Sequence, residues 1–290
     1  MRVRRPEPKQ PQPDDLRGAV WALETGQRLA ALTADPIAVE DVVFAQTDVG
    51  TLALHAHDRV MTPIICETGR WEEDEAAWLR SVLTRGQTVV DCGANVGYFT
   101  LLLSEAVGAS GTVVAVEPER GNLRLLQHNL WRNRCDNVRV IAAAAGEARG
   151  VVALRHNSLN AGDHQVHAEA APSDVLVPCV ALDDLLGGVV VDVVKVDTQG
   201  HDYLAVAGMH QLLERSPHAR LLVEFWLDSM VERNISADDV LAGYRALGRP
   251  IGTLGPGGVV REATDAEIIA SAAASQPDHW VNIVIGARTV

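Results

Sequence analysis

The sequence predicts an α/β protein with a doubly wound, mostly parallel sheet and an N-terminal extension, and three observations carry that expectation. From Thr88 onward, β-rich apolar runs alternate with stretches of helical spacing. Val189–Val196 is an apolar run broken only by Asp192 and Lys195, as expected of a strand covered on both faces. An acid-ended strand over Thr88–Asp91 also runs through a glycine turn straight into a helical stretch.

Taken in order, residues 1–15 are rich in proline, glutamine and charge and predict a disordered leader. Residues 16–84 are expected to form an extension packed on the core. Its first part, with Leu16, Val20, Leu23, Leu29 and Leu32 at helical spacing, predicts a helix over residues 16–34 that ends before Pro36. Short strands are expected near 42–44, 52–55 and 63–66. A helix over 71–84 would begin with Glu72, Glu73, Asp74 and Glu75, where the helix dipole favours anions. Residues 85–290 are expected to form the main domain. There the pattern predicts a strand at 88–91, a helix at 98–107, a strand at 112–116 ending in Glu117-Pro118, a helix at 120–131 and a strand at 138–143. Runs at 151–154 and 176–182 read as further strands around a polar segment. A helix from Tyr203, a strand at 221–225, a helix at 237–247 and a closing strand near 280–285 follow the run at 189–196.

Composition narrows the function. The 290 residues carry 25 Lys+Arg against 38 Asp+Glu, a net charge of −13. That balance argues against nucleic acid as a partner, because phosphate contacts need a basic stripe. No apolar run of about 18 residues is present, so no membrane span is expected. The basic N-terminus lacks the apolar stretch of a signal peptide, which favours a cytoplasmic location. Cys66, Cys92, Cys135 and Cys179 are widely spaced with no CxxC, the pattern of reduced thiols. Lysine occurs only at positions 9 and 195, which singles out Lys195. Self-association is left open.

The first chemical constellation is Asp91-Cys92-Gly93-Ala94-Asn95-Val96-Gly97-Tyr98-Phe99-Thr100. Two glycines four apart allow tight turning and close backbone approach to a ligand, at a helix start with free N–H groups. A dinucleotide site would want G-x-G-x-x-G, and Asp91 would repel a pyrophosphate. An acid in that place suits the amino group of a small zwitterion, and S-adenosylmethionine is such a molecule. A tight turn with no ligand and a nicotinamide site are the competing readings. Glu117, at the end of the next strand, can accept hydrogen bonds from both hydroxyls of a ribose.

These residues resemble the FkbM-type S-adenosylmethionine-dependent methyltransferases, which have a class I, Rossmann-like fold. The resemblance rests on Gly69-Arg70-Trp71-Glu72, the Asp91–Thr100 segment, Glu117-Pro118, Val180-Ala181-Leu182-Asp183-Asp184-Leu185-Leu186, Val194-Lys195-Val196-Asp197-Thr198-Gln199-Gly200 and Leu222-Val223-Glu224-Phe225-Trp226, and covers roughly residues 52–285. It implies O-methylation of a sugar or natural-product hydroxyl, with Glu72, Asp91, Gly93, Ala94, Asn95, Gly97, Tyr98, Phe99, Glu117, Pro118 and Asp197 about the cofactor. Gln199 departs from the family, many of whose members carry Glu there, and His201 stands where an apolar or aromatic residue is common.

The acceptor side is read from residue chemistry. Lys195 and Asp197 leave one face of their strand, either as a structural ion pair or with Asp197 turned to the acceptor hydroxyl. His201 and His164 are the candidate bases beside Asp197, since an imidazole titrates near working pH. Asp202 is expected to favour its helix start. The polar segment 155–167 offers Asn157, Asn160 and His164 as acceptor contacts. Its three histidines lack helical i,i+4 spacing or a Cys companion, so no metal is assigned, though a divalent ion orienting the acceptor stays open. Glu224, in an otherwise apolar strand, needs a partner or a crevice, whereas Trp71 and Phe225 are expected in the core. A binding module without turnover is the alternative from another class, with a nicotinamide-dependent oxidoreductase behind it.

Overall fold

The computed structural model describes residues 41–157, 159–167, 171–277 and 279–286. The expected leader at 1–15 and helix at 16–34 lie outside the described residues. In chain order the elements begin with β1 (Val42–Thr47), β2 (Gly50–His55), α1 (Met61–Thr68), α2 (Glu73–Val82), β3 (Thr88–Cys92), α3 (Tyr98–Val107), β4 (Thr112–Val116), α4 (Arg120–Arg132) and β5 (Val138–Ile141). Next come β6 (Ala144–Ala145), β7 (Gly150–Arg155), β8 (Gln165–His167), β9 (Val175–Val180), α5 (Leu182–Leu185), β10 (Val193–Val196), α6 (Asp202–Ala207) and α7 (His210–Arg215). The last are β11 (Arg220–Trp226), α8 (Leu227–Glu232), α9 (Ala237–Ala246), β12 (Ile251–Gly255), β13 (Val259–Glu262), α10 (Asp265–Ala274) and β14 (Trp280–Ile285).

Eight strands make the central sheet in the order β13-β12-β14-β11-β10-β3-β4-β5. The five from β11 to β5 are parallel, and β14, β12 and β13 extend one side antiparallel. From β3 the chain first steps outward through β4 and β5, then returns to β10 on the other side of β3. This reversal opens a crevice beyond the carboxyl ends of β3, β4 and β10, where open α/β sheets bind ligands.

Strand alternation sorts side chains between two cores. Val90, Val194 and Val223 face one, packed against Met209, Leu212 and Leu241; Val89, Val193 and Leu222 face the other, with Leu79, Leu102 and Ile65. The second face carries the charges of the central strands. Asp91, Lys195 and Glu224 share the parity of Val89, Val193 and Leu222, and Lys195 stands directly opposite Asp91 in the parallel register.

The β1–β2 hairpin packs on α4 through two asparagines. The Asn129 amide donates to the carbonyls of Ala53 and Val96, and its Oδ1 accepts the Ala53 N–H. Asn133 makes the same reciprocal pair with Thr51. Residues 63–66, expected as a strand, lie inside helix α1: Asp58 Oδ1 accepts the N–H groups of Val60 and Thr62 and anchors the helix start. The runs at 151–154 and 176–182 do not enter the central sheet. They join a separate sheet of order β6-β9-β7-β8. The β12–β13 hairpin and α10 had no counterpart in the sequence reading.

Candidate functional site

The turn after β3 is shaped by backbone requirements. Gly93 has φ +82°, and a Cβ there would overlap the carbonyl oxygen of Asp197, so only glycine lets the ends of β3 and β10 close together. Gly97 has φ +98°, and a Cβ there would run into Leu126 of α4. Asn95 adopts φ 50° between them. The N–H groups of Gly93 and Ala94 reach across to the Val116 carbonyl. This tight wrap leaves a crevice of about 750 Å³ floored by Gly93–Val96 and walled by Tyr98, Phe99, Glu117, Pro118, Lys195, Asp197 and His164.

Glu117 is buried at the mouth of β4. Its Oε2 accepts the N–H of Asn95 and its Oε1 that of Glu119, both at 2.8 Å. Burial pushes its carboxyl up to about 8 against the opposing pull of those two bonds. Lys195 Nζ donates to Asp197 Oδ2 at 2.8 Å and lies 4.6 Å from the Phe99 ring centroid. Burial alone would lower the lysine, but the carboxylates of Asp197, Asp91 and Glu72 more than compensate and hold it charged. Gln199, at φ 52°, donates from Nε2 to Asp197 Oδ1 at 2.7 Å. Asp197 is thus fixed on both oxygens.

A second cavity, of about 1120 Å³, adjoins the first across Asn95, Gly162, Asp197 and Gln199. Glu72, Asp163, Asn160, Glu224, Trp226 and Trp280 line it, with Trp71 facing both spaces. Glu224 Oε2 and Trp226 Nε1 are out of contact with solvent and have no hydrogen-bond partner among the described residues. Glu72 and Glu224 are partly buried, and that burial, reinforced by the Asp197 charge, raises both well above the usual carboxylate range.

Several expected site residues stand elsewhere. Asp91 does not line the crevice: it is fully buried, its Oδ2 accepts from Thr100 at 2.6 Å, and it stands behind the turn beside Lys195. His201 lines neither cavity. It is 6% exposed on the far side of the Asp197 turn, close to Gly146. Burial, together with the Arg233 charge, takes it down to about 4, so it is neutral at working pH and cannot reach an acceptor. Asp202 does more than favour its helix: its carboxylate accepts the N–H groups of Thr198 and Gly200 and holds that turn.

Asn157 spends its side chain inside the 157–163 loop, accepting from the N–H groups of Leu159 and Asn160 and donating to Asp163. His164 faces the inner crevice rather than the outer cavity. Its Nδ1 accepts the Asn157 N–H at 3.0 Å, which puts the proton of the neutral ring on Nε2. It is therefore a donor toward the crevice and a poor base. Glu72 lines the outer cavity and makes no cap bond to α2, and Trp71 lines both cavities rather than being confined to the core. Phe225 is fully buried, as expected. Asn160 and Glu224 lie in the outer cavity. The sequence reading gave Trp226 no role of its own and missed Trp280, and also Asp58 and Asn122, which hold the loop over the crevice through the Ala161 N–H and carbonyl. Nothing in their spacing marks them.

Residues 91–233 match the methyltransferase FkbM domain. No curated protein matches the sequence. Among solved structures, the chain resembles the methyltransferase FkbM of Methylobacillus flagellatus KT at 19% identity and a TM-score of 0.45, over 69% of this chain and 43% of that one. It resembles Trm5b of Pyrococcus abyssi at 12% identity and a TM-score of 0.46, over 84% and 55%. The Streptococcus mutans protein SMU.1697c, in complex with SAH, is similar at 12% identity and a TM-score of 0.44, over 74% and 97%. The chain thus spans about half the length of the first two. All four free cysteines are unpaired among the described residues, which form no His/Cys/Asp/Glu group able to hold a metal and no helix long and apolar enough to cross a membrane.

Proposed function

Residues 91–233 match the methyltransferase FkbM domain, and we propose that the chain is a member of that family that transfers the methyl group of S-adenosylmethionine to a hydroxyl oxygen of a saccharide or natural-product small molecule. The observation that carries this reading is the convergence of the Gly93 turn, Glu117 and the Lys195–Asp197 pair on one crevice, with a second cavity open across Asp197.

The crevice suits the cofactor. Backbone at Gly93–Asn95 admits close approach, Glu117 offers carboxylate lone pairs to a ribose, and Phe99, Val116 and Pro118 supply apolar wall for a base. Asp197 supplies negative charge where the two cavities meet, and His164 Nε2 supplies a donor. Asp91 acts from behind, bracing the turn through Thr100, beside Lys195 in the strand register, rather than touching the ligand. When bound, the cofactor supplies an electrophilic methyl on a sulfonium.

The protein's own part is positioning, since an in-line transfer needs the reacting atoms at roughly 3–3.5 Å with their entropy already lost. Asp197, fixed by Lys195 and Gln199, has further lone pairs to accept the acceptor hydroxyl's hydrogen bond and aim its oxygen. The hydroxyl proton leaves toward that carboxylate or to solvent as the C–O bond forms. By the same reading residues 16–84 are an extension packed on the methyltransferase domain of residues 85–290, with Trp71 and Glu72 at the rim of the site.

Equilibrium dialysis with labelled S-adenosylmethionine should show saturable uptake, and extracts treated with methyl-labelled cofactor should yield a product whose label sits on oxygen. No uptake at millimolar cofactor overturns the reading. Uptake without transfer to any hydroxyl acceptor would favour the binding module instead.

A further inference from the structure

The outer cavity has a composition that methyl transfer alone does not require. Its lining holds four carboxylates, Glu72, Asp163, Asp197 and Glu224, and three tryptophans, Trp71, Trp226 and Trp280, with no Lys, Arg or His. Half of the chain's six tryptophans stand there. Two of the four acids have protein partners that account for them. Asp163 accepts from Asn157 and Gln165, and Asp197 from Lys195 and Gln199. Glu224 has no such account. Its Oε2 is sealed from solvent and unpartnered among the described residues, and Trp226 Nε1, two residues on along the same strand face, is likewise unpartnered.

A buried carboxyl oxygen without a donor costs free energy unless a ligand supplies one. The ligand that fits is a cation with several N–H donors, small enough to sit among indoles, which attract ammonium groups through their faces. A neutral sugar would meet the indoles well, but would bring no positive charge to favour ionisation of Glu72 and Glu224.

Resting on the methyltransferase reading above, we propose that the acceptor is an amine-bearing saccharide or aminocyclitol, whose ammonium is held by Glu224 and Glu72 among Trp71, Trp226 and Trp280. The hydroxyl that receives the methyl then lies on the Asp197 side of the same ring. The raised carboxyls of Glu72 and Glu224 give the binding a signature: an arriving ammonium favours their ionised forms, so protons pass to buffer. The rival use for this charge is the cofactor's own sulfonium, and the two are separable because S-adenosylhomocysteine is a neutral thioether.

The test is calorimetric titration of matched pairs into the full chain, with and without saturating S-adenosylhomocysteine: glucosamine against N-acetylglucosamine, and 2-deoxystreptamine against inositol. Binding of S-adenosylhomocysteine, measured first, reports on the cofactor reading by itself. The expected result is that the amines bind about tenfold or more tightly than their neutral partners, and release protons, seen as a dependence of the heat on buffer ionisation. Glu224→Gln should remove most of that preference while leaving S-adenosylhomocysteine affinity within about twofold, since it stands outside the inner crevice. Glu72→Gln is the second variant, should the first fold poorly. Equal binding of amines and neutral partners, or no amine binding in any arm, overturns the proposal. So does a Glu224→Gln effect confined to S-adenosylmethionine over S-adenosylhomocysteine, which would assign the charge to the sulfonium.

Discussion

The two adjoining cavities are built on different principles. The inner crevice rests on three contiguous segments, Gly93–Phe99, Val116–Pro118 and Lys195–Gln199, whose turns are set by positive φ at Gly93, Asn95, Gly97 and Gln199, and single residues such as Met61, Asn122 and His164 complete its lining. The outer cavity is assembled from single side chains on five separate stretches, Val60, Trp71-Glu72, Asn160–Asp163, Glu224 with Trp226, and Trp280. Trp71, Asn95, Gly162, Asp197 and Gln199 belong to both. A backbone-built site tolerates little change and serves one ligand, whereas a side-chain-built site can be respecified by substitution without disturbing the sheet. That division suits an enzyme with a constant methyl donor and a variable acceptor.

The sharpest way to break this contrast is Gly93→Val. At φ +82° a β-branched residue is strained, and its Cβ would overlap the Asp197 carbonyl, forcing the ends of β3 and β10 apart. We expect a loss of S-adenosylhomocysteine affinity of about 100-fold or more, with a clear fall in Tm, because strain and overlap together cost several kcal/mol. Parent-like calorimetry and melting would show that the turn does not govern the crevice.

Glu117→Ala comes next. The substitution strips the acceptor from the N–H groups of Asn95 and Glu119 and from any ribose, and one buried unpartnered donor costs about 1–3 kcal/mol. Affinity for S-adenosylhomocysteine should fall about 10- to 100-fold. The parent should also show a pH effect. With Glu117 pushed up to about 8, the folded protein holds a proton that the unfolded chain gives up near 4.5. Its contribution to stability is therefore lost as pH rises from 4.5 through 8. Glu119, the neighbouring charged carboxylate, adds to the shift. Donation from a ribose favours the ionised carboxylate, so affinity should rise from pH 7 to 9 in the parent and stay flat in the variant. A flat parent profile would separate Glu117 from the ligand.

The same contrast explains what could be read without coordinates. Helix Tyr98–Val107 and strand Thr112–Val116 were legible to the residue because strand, glycine turn and helix follow one another locally. Glu117 and the Lys195–Asp197 pair were legible for the same reason: each sits where its own strand ends. Residues 63–66 misled because Ile64-Ile65-Cys66 has strand composition, while the helix is anchored by Asp58, outside that window. Asn157 and His201 misled by chemical type. A polar residue in a polar loop, or an imidazole beside the site, has the right chemistry, but only tertiary packing shows that Asn157 is spent on its own loop and that His201 faces Gly146. Trp280 could not have been found, because it reaches the outer cavity only after β14 is laid antiparallel beside β11, where it pairs with Trp226.

The smallest effect on activity is expected at His201, and it sharpens the contrast from outside both cavities. His201→Gln should leave kcat and the affinity for S-adenosylhomocysteine within about twofold, because the ring touches neither space. Its effect should appear in acid stability instead. The buried ring takes up its proton only near pH 4 when folded, against 6.5 for an ordinary histidine, so the unfolded chain binds more protons between those values. The parent therefore loses stability as pH falls from 6.5 toward 4, by up to ~3 kcal/mol at about 1.4 kcal/mol per pH unit. Glutamine, with nothing to protonate, should flatten that slope in urea titrations at pH 7, 6 and 5. A variant that instead loses turnover with unchanged acid stability would return His201 to the acceptor side and dissolve the separation between the two cavities and the packing behind them.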